Sequence, residues 1–68
     1  MNALERFNKQ DDNRVTMQEP KETRNGFYIW EQWTYNGDSI SDIRYYCEDV
    51  NGGKTFRLGL EDYLKLSK

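Results

Sequence analysis

Two Asn-Gly turns, Asn36-Gly37 and Asn51-Gly52-Gly53, divide the stretch from Phe27 to Leu60 into three runs of β-forming residues. Asn and Gly accept positive φ at little cost, so each turn can join its flanking runs as a hairpin. Phe27-Tyr28-Ile29-Trp30-Glu31-Gln32-Trp33-Thr34-Tyr35 is dense in aromatic side chains; Ile40 to Val50 forms the second run and Lys54 to Leu60 the third. Runs joined this tightly have to pair antiparallel, which restricts the chain to a β-meander.

The second hairpin can be given a register. With Asn51-Gly52 as a two-residue turn, Val50 faces Gly53. Counting outward then sets Asp49 against Lys54, Cys47 opposite Phe56, Tyr45 opposite Leu58 and Ile43 opposite Leu60. The apolar pairs fall on one face, so turn chemistry and hydrophobic pattern agree. The first hairpin is less determined, because loops of different length around Asn36-Gly37-Asp38 exchange the faces of the first run. A three-residue loop puts Phe27 and Ile29 on the face of Ile43, Tyr45 and Cys47, and we take that frame because it unites the aliphatic residues.

The flanks read as short elements. Asn2 followed by Glu5 resembles a capping box, and Leu4 and Phe7 share a face, which predicts a helix over 3–9. Lys9 to Asn13 ends it in turn-forming side chains, and Arg14 to Gln18 alternates as a short strand. Pro20 places that strand at an edge, and Lys21 to Gly26 reads as a polar loop. In the tail, Glu61 and Asp62 precede Lys65 and Lys68, while Leu60, Tyr63 and Leu64 share a face, as in a short helix oriented with its dipole. The expected fold is α+β: one domain over 1–68, with a polar N-terminal helix and edge strand (1–26), a three- to four-stranded antiparallel β-meander (27–60) and a short C-terminal helix (61–68). An SH3-like small barrel is the alternative.

With 68 residues, one cysteine and no histidine, the chain has neither an internal disulfide nor a Cys/His zinc set to supplement a small core. Its 15% aromatic content supplies the buried area instead. A net charge of −2 does not favour a bulk electrostatic hold on nucleic acid, and ten basic residues against twelve acidic ones do not make a DNA mimic. No apolar run reaches the length of a membrane span, and the N-terminus is not a signal peptide. The lone cysteine agrees with a reducing compartment, so the cytoplasm is the expected location. A bias towards Asn, Lys, Tyr and Ile matches compact reading frames of phages and mobile elements.

The candidate functional surface is the face opposite Ile43, Tyr45 and Cys47. It carries Tyr28, Trp30, Arg44, Tyr46 and Arg57, with Tyr46 directly opposite Arg57. Rings interleaved with guanidinium groups suit a protein hot spot or a platform that stacks nucleobases. The competing reading is that the two short helices cover this face with Leu4, Phe7, Tyr63 and Leu64 and make it the core. Trp33 and Tyr35 form a second patch near the hairpin end, where Trp33 can instead pack on Ile40. The strands around Val15 and Phe56 are the expected edges, open to strand addition or to a homodimer.

No catalytic, metal or cofactor site is expected. Glu31, Asp38, Asp42, Glu48, Asp49, Glu61 and Asp62 read as a solvated face, and the loop from Asn36 to Asp42 lacks calcium-loop spacing. Cys47 reads as a packed small hydrophobe, and Gly52-Gly53 lacks a phosphate-loop pattern. The expectation is a non-enzymatic protein-interaction module, a phage-type accessory protein that binds and modulates or inhibits a host protein complex. The partner is a host or cognate protein or a second copy of the chain, with single-stranded nucleic acid as the alternative.

Overall fold

The structure, a computed structural model, describes residues 2–11 and 14–68. Asn2 caps the first helix: its Oδ1 accepts from the Glu5 N–H (3.0 Å), and α1 spans Ala3–Lys9. The turn residues Asp12 and Asn13 lie outside the described residues. Among the described residues five strands follow, β1 (Val15–Met17), β2 (Lys21–Glu22), β3 (Phe27–Asn36), β4 (Ser39–Asp49) and β5 (Thr55–Leu58), and then α2 (Leu60–Leu66). All pairings are antiparallel, in the order β1-β3-β4-β5, with β2 also on the outer side of β3. The expected meander is β3-β4-β5. The segment from Lys21 to Gly26, expected as a polar loop, instead begins with β2, because Lys21 pairs with Ile29 and Glu22 with Tyr28. The sheet is open, with β1/β2 and β5 as its edges, and no barrel closes.

The β3–β4 frame is the expected one, reached by a different route. Asn36 faces Ser39, so the turn has two central residues, Gly37 and Asp38, rather than three. Gly37 at φ 65° takes the first central position, as in a type II′ turn, where a side chain would be strained. That turn alone would bring Ile43 onto the wrong face. A bulge between Thr34 and Tyr35 on one side, with Ser41 as the extra residue on the other, restores the frame, and the Ser41 hydroxyl donates to the Thr34 carbonyl (3.1 Å). Ile29 then faces Cys47, Trp30 faces Tyr46 and Trp33 faces Ile43; Ile40 faces Tyr35 rather than Trp33.

The second hairpin keeps the deduced register: Tyr45 faces Leu58, Tyr46 faces Arg57 and Cys47 faces Phe56. Its loop is longer than two residues, because the ladder ends at Glu48 and Thr55. The turn itself runs from Asp49 to Gly52, whose N–H donates to the Asp49 carbonyl (2.9 Å). The Asp49 carboxylate accepts from the Asn51 N–H (2.8 Å), an Asx turn, instead of meeting Lys54 across the hairpin.

The helices take opposite faces, which corrects the reading that both cover the aromatic face. Arg6 of α1 reaches Glu48, Thr55 and Trp30, all on the face of Tyr46. Tyr63 of α2 lies against Tyr45 on the other face (ring centroids 4.6 Å). Burial of Tyr63, then the Glu31 carboxylate and Tyr45, raises its phenol above the ordinary tyrosine range, consistent with Glu31 projecting to the same side. The buried side chains lie on both faces of the sheet: Trp30 and Glu48 on the α1 side with Ala3, and Ile29 and Cys47 on the α2 side. From Ser39 to Arg44, β4 is exposed, so the β3–β4 hairpin extends beyond the core.

Candidate functional site

The sheet offers two surfaces, and the pleat decides which residues reach each. Tyr28, Trp30, Arg44, Tyr46 and Arg57 do fall on one face, but α1 crosses it. Trp30 is only 4% exposed, stacked on Tyr46 (6.0 Å) with the Arg6 guanidinium 5.8 Å from its ring centroid. Tyr28 and Tyr46 are partly buried, while Arg44 and Arg57 are exposed. Arg44 is held by Asp42 two residues away (2.8 Å), and this hydrogen bond keeps the Asp42 carboxyl below the usual range. Both side chains are half exposed, so the pair adds little stability.

A pocket of about 330 Å³ opens beside α1, lined by Arg6, Met17, Trp30, Gln32, Tyr46 and Thr55. The basic group in it is committed: Arg6 Nη1 lies 2.7 Å from Oε1 of Glu48, a fully buried carboxylate to which the Thr55 hydroxyl also donates (3.1 Å). Its aromatic floor is largely covered. Of the residues that read from the sequence as a binding platform, Trp30 is thus part of the core, while Tyr28 and Tyr46 are partly covered and Arg44 and Arg57 stand exposed. The Arg6–Glu48 pair was missed because Arg6 and its β5 neighbour Thr55 stand 49 positions apart, and no local spacing announces the contact.

The opposite face is barer. Ile40, Ile43 and Phe56 sit on it by register, α2 packs there against β4 and β5, and Leu60 and Leu64 of α2 are exposed as well. Among the described residues these are five of the six large apolar side chains that stand exposed; the sixth is Leu4 on α1. Phe56 is the most open, at 57%. Trp33 and Tyr35, the second expected patch, lie on this face too, partly buried and in edge contact with each other (6.5 Å). The apolar surface thus runs from the hairpin end past Ile43 and Tyr45 to Phe56 and α2. Sequence pattern alone assigned Ile43 and Phe56 to the core; what it lacked was the small size of α2, which covers Tyr45 but not its neighbours.

Cys47 lies beneath this face, and burial pushes its thiol up, away from the nucleophilic thiolate. Among the described residues, no group of three or more His, Cys, Asp or Glu side chains is placed to hold a metal ion. No helix among them is long and apolar enough to cross a membrane. No protein-family model, curated protein or solved structure matches the chain.

Proposed function

We propose that the domain is a non-enzymatic protein-interaction module that binds through the α2 side of its sheet. The observation that carries this reading is the gathering of Ile40, Ile43, Phe56, Leu60 and Leu64 on one side of a molecule whose other side has its largest ring, Trp30, buried. A small domain leaves large side chains uncovered at a cost in solubility, and an apolar patch of this kind is the usual mark of a protein interface. Trp33, Tyr35 and Tyr45 add aromatic groups of the type that anchor interfaces. Of the residues first considered on the other face, Tyr28, Arg44, Tyr46 and Arg57 remain as a polar flank. Base stacking is disfavoured, since Trp30, the largest ring of that platform, is buried. A host or cognate protein that this chain modulates is the partner class we infer, as for a phage-type accessory factor acting in the cytoplasm.

The experiment compares the wild type with a Phe56→Ser/Leu64→Ser variant, both tagged and recovered from the cells that make the protein. The variant is expected to keep its far-UV spectrum, since both side chains are about half exposed or more, and to lose the proteins that the wild type retains. Identical recoveries from a folded variant would remove this surface from the account.

A further inference from the structure

The two edges of the sheet are finished differently. On the β1 side, the Gln10 carboxamide takes the place of a neighbouring strand's peptide group. Its Oε1 accepts from the Met17 N–H (2.8 Å) and its Nε2 donates to the Met17 carbonyl (2.7 Å). Between β1 and β2 stands buried Pro20, which has no N–H to offer an incoming chain. Capping and proline are the devices by which an edge is closed to further pairing. On the other side, β5 pairs with β4 and has no described strand beyond it. It contains no proline, and its second residue, Phe56, is 57% exposed.

We propose that β5 is the docking edge for a second copy of this chain, in an antiparallel β5–β5 pair about a two-fold axis normal to the sheet. The inference rests on the protein-binding reading and names a partner for it. Such an axis keeps each face on its own side, so residues facing one another across the junction must come from the same face. Of the registers that meet that condition, the two centred on the inner residues of β5 keep the most of the strand paired. One sets Arg57 against Arg57 of the second copy, and like charges directly opposite are unfavourable. The other sets Phe56 against Phe56 of the second copy, Thr55 against Arg57 and Lys54 against Leu58. In that register the two most exposed apolar rings cover each other, with both α2 helices on the face to which they project.

Charge favours the same register. Continued one residue past Thr55, the alternation of β5 sets Lys54 on the α2 face, alongside the segment that leads from Leu58 into the acidic first turn of the other copy's α2, Glu61 and Asp62. Lys54, just ahead of one β5, approaches the acidic first turn of the other copy's α2 twice, once on each side of the axis. A strand of four residues gives a short ladder, so the pair forms with concentration rather than being permanent.

Sedimentation of the full chain across micromolar to near-millimolar concentration tests this. The mass is expected to rise from 8.2 kDa towards twice that value, with amides 55–58 gaining protection from hydrogen exchange in the concentrated sample. A Phe56→Lys variant, which puts two ammonium groups at the axis, is expected to stay at the monomer mass with an unchanged far-UV spectrum. If that variant unfolds, the exchange pattern of the wild type decides. A wild type that remains monomeric throughout overturns the pairing, as does a dimer whose added protection falls on β1 instead of β5. Neither result touches the broader reading, which fails only if polar substitution of Phe56 and Leu64 leaves the captured proteins unchanged.

Discussion

Replacing Arg6 with alanine is expected to destabilise the domain by about 3 kcal/mol, because it strands the Glu48 carboxylate in the core. Glu48 is fully buried, and its Oε1 is held by Arg6 (2.7 Å) and the Thr55 hydroxyl (3.1 Å), while Oε2 has no hydrogen-bond partner among the described residues. Taking an ion out of water costs several kcal/mol, and the pair offsets that cost only while both members are present. Arg6 is 36% exposed, which puts the loss at the low end of values for breaking a buried pair. Its contact with Trp30 adds roughly 0.5–1 kcal/mol that goes with it. An Arg6→Leu/Glu48→Leu chain is expected to recover most of the loss, since two apolar side chains carry no stranded charge. Urea denaturation of the wild type, Arg6→Leu, Glu48→Leu and the double variant, with Arg6→Ala measured beside them, reads the coupling directly. A cost below about 0.5 kcal/mol for Arg6→Ala would mean the pair is a surface contact and α1 is not anchored by it.

Ile29→Ala is expected to cost about 3–4 kcal/mol and to leave the chain largely unfolded near room temperature. Ile29 has no exposed surface, lies opposite Cys47 as the third residue of β3, and has a strand on each side. The loss combines the transfer free energy of the removed methyl and methylene groups with the cavity left behind. A single core in a chain of this size rarely supplies more than about 3–5 kcal/mol, so one such deletion consumes most of it. Ile43→Ala provides the contrast. It lies on the same face and the same hairpin but beyond the cover of α2, so the expected loss is a fraction of that at Ile29. Equal losses at the two positions would contradict the placement of the core around Ile29 and Cys47 rather than at the exposed end of the hairpin.

Much of the fold was legible because local chemistry and pattern coincide in this chain. The Asn2 cap, the long aromatic strand and the β4–β5 register follow from capping, β-propensity and alternation, and the structure places Tyr45, Tyr46 and Cys47 opposite the residues deduced for them. The β3–β4 frame was right for its aliphatic pairing, though the turn was not, because a bulge at Ser41 offsets a shorter loop and a lone serine in a strand gives no local notice of one. β2 escaped because Lys21-Glu22 has neither β-branched nor apolar side chains; its pairing comes wholly from lying beside Tyr28 and Ile29.

The candidate site was harder to see. Alternation correctly separated the two faces, but which helix covers which face depends on contacts between distant segments. Arg6 meeting Glu48 and Tyr63 meeting Tyr45 decide it, and neither contact leaves a mark in the local sequence. The consequence is an exchange of roles. Trp30, which reads as a binding residue, is core, and Phe56, which reads as core, is the most exposed of the large apolar side chains among the described residues.

Ile43 and Arg44 are adjacent in sequence and project to opposite faces, which allows a single measurement to compare the two surfaces. A photo-crosslinking residue is placed at position 43 in one chain and at 44 in another, and each is irradiated in the cells that make the protein. Adducts to a discrete protein from position 43, with none from position 44, are the result expected of a domain that binds through its α2 side. Adducts from 44 with none from 43 would contradict it and return the binding surface to the face of Tyr46 and Arg57.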